Sequence, residues 1–155
     1  LVAVTAVFDR VDAAVLAAAV ADYTVRSPST EKIKRESETL SLDLVRNPDI
    51  AAVLGEHKKE KVLVGFAAET ESGFDRAREK LRRKKLDLIV LNNVLEEGAG
   101  FASDTNRVTL IDAADEVVSL PRMAKLAVAD RLLDRVRDLC RSRGRKPDNT
   151  APLKS

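Results

Sequence analysis

Lys80 and Lys84 stand one helical turn apart, with Arg76 one turn earlier, so on a helix the three share a face. Like charges stacked this way repel by about a few tenths of a kcal/mol per pair, and an anion bound between them relieves that cost. The competing reading is a solvated basic face. A second cationic run, Lys32-Ile33-Lys34-Arg35, ends a polar stretch. A mobile lysine there can close over a triphosphate and offset charge that builds on a leaving phosphate. Asn47-Pro48-Asp49-Ile50 reads as a helix start, with Asn47 capping free amides and Pro48 fitting the first turn. Exposed backbone at such a start can read the edge of a base. Phe66, set among small residues in Gly65-Phe66-Ala67-Ala68-Glu69-Thr70, can stack on that base, although a strand Phe more often lies in a core. In Ala17-Ala18-Ala19-Val20-Ala21-Asp22-Tyr23, small side chains let a ligand approach the backbone. The Asp22 carboxylate can then bind a sugar hydroxyl or a metal-bound water.

Other chemistries are poorly served. There is no Walker A loop and no Gly-rich dinucleotide fingerprint, and six glycines leave little for a Gly-cradled phosphate. The single histidine, His57, excludes a His-based metal cluster, and the single cysteine, Cys140, excludes an internal disulfide. His57 reads as solvent-facing near a helix end and Cys140 as structural. A net charge of +2 argues against a dedicated nucleic-acid binder. The longest apolar run, Ala13 to Ala21, is far short of a membrane span. These features fit a reduced, cytoplasmic protein.

The elements that must position these residues alternate between strands and helices. Leu1 to Val4 and Ala13 to Ala18 read as strands, the second one buried. The link Thr5 to Asp12 is too short for a parallel crossover. The expectation is therefore a chain that lacks its native amino terminus and has residues missing near Arg10–Asp12. Asp22 to Glu38 reads as a long mobile loop, a lid that orders with ligand. Leu40, Leu42 and Leu44 alternate as a half-buried strand. Lys61 to Ala67 and Leu86 to Leu91 read as buried strands, the latter ending at Asn92-Asn93. Between them Phe74, Ala77 and Leu81 mark the apolar stripe of a helix running to about Lys85. After a loop from Gly98 to Asn106, Val108–Ile111 and Val117–Leu120 form a hairpin, and Met123 to about Leu139 a final helix. The predicted fold is α/β: a Rossmann-like three-layer domain with a mainly parallel sheet and a small antiparallel hairpin. Ligands of such sheets gather at the carboxyl ends of strands, where Asp22, Phe66 to Thr70 and Asn92 fall. Residues 1–141 are expected to form the ligand-binding domain and residues 142–155 a basic flexible tail.

Taken in order, the motifs carry more than they do singly. Ala-Ala-Val-Ala-Asp-Tyr (18–23), Glu-Lys-Ile-Lys (31–34), Asn-Pro-Asp-Ile (47–50), Gly-Phe-Ala-Ala-Glu-Thr (65–70), Lys80 with Lys84, and Leu-Asp-Leu-Ile-Val-Leu-Asn (86–92) precede Phe101, Asp104 and Asn106. This series resembles the carboxyl-terminal half of bacterial phosphopantothenate–cysteine ligases over roughly residues 1 to 140. The resemblance implies CTP-dependent joining of 4'-phosphopantothenate to cysteine through an acyl-cytidylate, in coenzyme A biosynthesis. It implies that the backbone of Pro48, Asp49, Ile50 and Ala51 and the ring of Phe66 hold cytosine. Asp22 and the backbone of Leu16, Ala17 and Ala18 would face the nucleotide, and Lys32, Lys80 and Lys84 would grip the triphosphate. Lys32 and Asp22 would be catalytic. It further implies Mg²⁺ on the phosphates, a homodimer, and FMN only in a fused upstream decarboxylase domain; neither a nucleic acid nor a membrane is implied as partner. The family's Gly-rich amino-terminal half is absent from this sequence, and Thr24-Val25-Arg26 stands where the family has an Arg-Pro pair. The alternative reading is a non-catalytic nucleotide-binding or dimerisation module of the same fold.

Overall fold

A computed structural model describes residues 1–34, 38–69, 73–93 and 104–144. The elements run α1 (Val2–Phe8), β1 (Ala13–Leu16), β2 (Tyr23–Val25), β3 (Leu44–Arg46), α2 (Ile50–His57), β4 (Val62–Glu69) and α3 (Gly73–Arg83). There follow β5 (Leu88–Asn93), β6 (Thr105–Asn106), β7 (Val108–Asp112), β8 (Val117–Ser119), β9 (Met123–Ala124) and α4 (Lys125–Ser142).

The main sheet has the order β1-β4-β5-β7-β8, with β1, β4 and β5 parallel and β7 and β8 antiparallel. The apolar runs of β4 and β5 explain their central place, because a strand covered on both faces has no use for polar alternation. Alternate residues then feed two cores. Val62, Val64, Leu88 and Val90 pack with α4 through Val128, Leu132, Val136 and Cys140. Leu63, Ala67, Ile89 and Leu91 pack with Phe8 of α1, Leu54 of α2, and Ala77 and Leu81 of α3. This is the expected three-layer α/β arrangement. Cys140 is buried in the first core and His57 is exposed, as their sequence settings imply.

Several expectations need correction. Leu1–Val4 is not a strand; residues 2–8 form a helix whose Val4 and Phe8, one turn apart, both reach the second core. β1 is thus the first strand, and the short link requires no crossover. The link is held by Lys61 Nζ, which donates to the carbonyls of Asp9 (3.1 Å) and Val11 (2.8 Å). β1 stops at Leu16, and as an edge strand it is half-buried, leaving Ala17 and Ala18 exposed. The Asp22–Glu38 stretch carries β2, which pairs with β3 in a two-stranded antiparallel ribbon. Leu40, Leu42 and Leu44 are all at least half exposed, because no layer of the described residues covers the ribbon. Phe74 also faces solvent while Ala77 and Leu81 are buried, so the α3 stripe is narrower than the sequence indicates. Gly98 to Ser103 and residues 145–155, with most of the expected tail, lie outside the described residues.

The amino-terminal rim of the sheet is tied by one carboxylate. Asp87, 2% exposed, accepts from Lys58 Nζ and Arg143 Nη2, each at 2.5 Å, and from the Leu63 amide at 2.8 Å. Arg143 also donates to the Lys61 carbonyl at 2.8 Å, so the end of α4 is fastened to the start of β4. Removing one member of a buried ion cluster leaves the others uncompensated. Asp87→Ala is therefore expected to lower unfolding free energy by about 3 kcal/mol, read as an earlier urea midpoint. A loss below about 1 kcal/mol would mean the cluster is solvated like a surface pair.

Candidate functional site

At the opposite rim, β1 and β4 are in register from Ala13↔Val62 to Leu16↔Gly65, so Ala17 and Ala18 continue beside Phe66. From there the chain reaches Asp22, whose carbonyl accepts from the Asn47 amide at 2.8 Å; Asn47 Nδ2 donates to the Ala21 carbonyl, also at 2.8 Å. Asn47 therefore staples the small-residue segment to the start of α2. It is not the helix cap. That role falls to Asp49, whose Oδ1 accepts from the Ala52 amide at 3.1 Å, because the helix begins two residues later than the Asn-Pro pair implies. Pro48 lies before the cap, and Ile50 and Ala51 pack partly buried against the second core, beside Leu16.

Lys84 joins this assembly from the turn that follows α3. Its backbone carbonyl lies against Gly55 of α2, where an added Cβ would sit only 2.0 Å from the oxygen. Its ammonium meets Asp49 Oδ2 at 3.0 Å. Gly55 and Asp49 are separated by about 9 Å of helical rise, so the Lys84 side chain runs along α2 towards its amino terminus. Lys80, half-buried, stands four residues earlier, in the last turn of α3. Burial of Asp49 opposes ionisation, but hydrogen bonds from Lys84 and the Ala52 amide, with the charges of Lys84 and Arg83, hold its carboxyl below the usual carboxylate value.

Two of the sequence candidates are placed apart from this group. Lys32 is exposed and makes no hydrogen bond or ion pair with the described residues. Phe66, 39% exposed, shares the parity of Val62 and Val64, so its ring emerges on the α4 side of β4, while Lys84 and the α2 start lie on the other side. A ligand touching both must cross the carboxyl edge of the sheet. Arg35, Thr70 and Phe101 lie outside the described residues.

Asn92 falls at a strand end by its sequence but is assigned no ligand contact there. It pairs in register with Ala68, projects to the same side as Phe66, and its buried Oδ1 accepts no hydrogen bond from the described residues. A buried orphan acceptor costs about 1–3 kcal/mol, so its presence at a strand end marks a place where a ligand donor fits. The signal was available: an Asn that closes the apolar run Leu88–Leu91. A cavity of about 370 Å³ lies elsewhere, between the β7–β8 hairpin and α4, lined by Leu110, Val118 and Leu120 and by the charged Arg131, Asp134, Arg135 and Asp138. Its surface is mainly apolar, and of its charged residues Arg135 is already paired with Asp112 and Glu116, and Asp134 and Asp138 with Arg137, so the strand ends remain the better candidate.

The fold and these strand ends define an α/β domain with a ligand edge at the carboxyl side of a mainly parallel sheet. The chain belongs to the DNA/pantothenate metabolism flavoprotein C-terminal domain family, whose model matches residues 1–139. It is 43% identical over 144 residues to the coenzyme A biosynthesis bifunctional protein CoaBC of Bacillus subtilis, covering 93% of this chain and 36% of that protein. It is 44% identical over 130 residues to a prokaryotic protein named cysteine/cysteine sulfinic acid decarboxylase, covering 83% of this chain and 36% of the other. The chain thus spans about a third of the curated relatives it matches. Among solved structures it is similar to the C-terminal domain of a CoaBC protein, with a TM-score of 0.72 and 35% identity, covering 90% of this chain and 62% of that one.

The depressed Asp49 carboxyl gives a pH dependence with a definite sign. A carboxylate held lower in the folded state than in the unfolded one stabilises the fold above its unfolded value, near pH 4. That contribution is lost as pH falls through the folded value. The stability difference between wild type and Asp49→Asn is therefore expected to hold from pH 7 to pH 5 and to shrink below about pH 4. Chemical denaturation at a series of pH values measures it, and a difference that grows on acidification would contradict the ion pair.

Proposed function

We propose that this chain is the nucleotide-binding part of a phosphopantothenate–cysteine ligase that uses CTP in coenzyme A biosynthesis, in the cytoplasm. The observation that carries the reading is the stapling of Ala21–Asp22, Asn47–Ala51 and Lys84 into one assembly beside the end of β4. The similarity to proteins named for coenzyme A biosynthesis supports it.

In this reading the base lies across the carboxyl edge, between the backbone of Pro48–Ala51 on one side and Phe66 with Asn92 on the other. The orphan Oδ1 of Asn92 suits an amino or hydroxyl donor of the nucleotide. Backbone at Leu16–Ala18 and the Asp22 carboxylate face the sugar, and Lys80 and Lys84 receive the phosphates. Lys32 must move in to join them, which its exposed place permits. The carboxylate of 4'-phosphopantothenate attacks the α-phosphate of CTP and pyrophosphate leaves. The cysteine amine then attacks the acyl carbon and CMP leaves. These steps need positioning and charge stabilisation rather than a protein nucleophile, which accords with a buried Cys140 and an exposed His57.

Among the described residues no group of three His, Cys, Asp or Glu could hold a metal. Mg²⁺ is expected to ride on the triphosphate and keep most of its waters, and the Asp22 carboxylate could bind one of them. The ion would supply charge neutralisation on the phosphates. FMN has no role in this chain and would belong to a fused decarboxylase part. The β2–β3 ribbon exposes Tyr23, Leu42 and Leu44, an apolar surface suited to a second copy in a homodimer. No described helix is long and apolar enough to cross a membrane.

The test is turnover of the intact protein with 4'-phosphopantothenate, cysteine and each of CTP, ATP, GTP and UTP in Mg²⁺. CTP is expected to give CMP and pyrophosphate in equal amounts and to exceed the other nucleotides by at least about tenfold, a ratio equal to about 1.4 kcal/mol. Tight CTP binding with no CMP release would instead favour the non-catalytic module.

A further inference from the structure

We infer that Asp49 is a positioning residue that holds Lys84 ready for a nucleotide phosphate and couples that lysine to the start of α2. The inference rests on the nucleotide reading above and assigns Asp49 a task its backbone alone would not perform.

The carboxylate uses its two oxygens on two different elements. Oδ1 accepts from the Ala52 amide and caps α2, while Oδ2 takes the Lys84 ammonium at 3.0 Å. Each bond fixes the other, because the cap sets the carboxylate plane and the plane sets where Nζ can sit. The Lys84 stem is pinned at its root as well, since its own carbonyl is packed on Gly55 with no room for a Cβ. The side chain is only 22% exposed while Asp49 is 45% exposed, so the lysine is confined along α2 and the carboxylate forms the outer lip. An ammonium has three donors. Asp49 takes one, and the others remain for phosphate oxygens.

Two effects of this pairing oppose each other at a phosphate site. The carboxylate repels an arriving triphosphate, but this lip is exposed and the repulsion is screened. Pinning the lysine removes rotamer freedom before the ligand arrives, and a free lysine side chain loses as much as any residue on ordering. Pre-organisation wins here because the stem is already confined at its base and needs only its tip fixed. The charges of Lys84 and Arg83 also keep Asp49 ionised through the working pH range. Asp49 thereby links the segment that would read the base to the cation that would read the phosphates.

The test is a double-mutant cycle on the intact protein, using KM for CTP, kcat and melting temperature. Asp49→Asn keeps an acceptor for the Ala52 amide and loses the charge. It is expected to leave the melting temperature within a few degrees, to raise KM for CTP about five- to tenfold, and to change kcat less than KM. Lys84→Met should raise KM at least as much, and Asp49→Asn/Lys84→Met no further than Lys84→Met alone. An unchanged or lower KM for Asp49→Asn, or additive effects in the double variant, would overturn the positioning role. If wild type shows no saturation with CTP and Lys84→Met changes nothing, the nucleotide reading itself falls. The Asp49–Lys84 coupling in thermal unfolding would still be measurable and would separate the two failures.

Discussion

Strand β4 is hydrogen-bonded on both edges and covered on both faces, and the other elements take their places from it. Val62, Leu63 and Val64 are fully buried, so successive side chains must be absorbed by different helices: α4 on one side, α1 to α3 on the other. The same alternation continues to the carboxyl end of the strand, where Ala67 is still buried against the second core but Phe66 is exposed on the α4 side. There it sends Phe66 to the α4 side and Ala67 to the other. The proposed site inherits this division. Its apolar ring and orphan amide lie on one face, its helix start and cations on the other, and a ligand is needed to span them.

The two rims of the sheet use their polar groups differently. The amino-terminal rim holds a saturated ion cluster in which Asp87 has partners on α2's end, on Arg143 and on the backbone of β4. The carboxyl rim holds an exposed carboxylate at Asp22, a half-exposed Asp49 and an orphan Asn92 oxygen. Polar groups at the first rim have spent their hydrogen-bonding capacity on the fold. At the second, Asn92 Oδ1 accepts nothing from the described residues, which suits the ligand edge expected at the carboxyl ends of a parallel sheet.

The central sheet was legible because β4 and β5 are apolar runs too short for membrane helices and bounded by polar turns, and α4 has an uninterrupted helical stripe. The first eight residues were misread because Leu-Val-Ala-Val has no periodicity over four positions; only Phe8, one turn after Val4, reveals the helix. The Leu40, Leu42, Leu44 alternation marks extended backbone but says nothing about a covering layer, and none of the described residues supplies one. Asn47 and Asp49 compete for one cap by type alone. The structure decides between them because Asn47 is occupied by Ala21 and Asp22, a contact across 26 positions that no local pattern encodes. For the site, the order of motifs located the segments, but the side of the sheet on which each projects depends on register, which is fixed only by pairing with β1 and β5.

The central claim is that a cytidine nucleotide lies across the carboxyl edge of β1, β4 and β5. Hydrogen exchange on the intact protein, with and without CTP and Mg²⁺, locates the ligand most directly. The account predicts slowed exchange at the amides of residues 17–22, 49–52 and 66–68, with the β8 and α4 amides unchanged. Protection confined to the groove between the hairpin and α4, or no protection at any of these strand ends under saturating CTP, would contradict it.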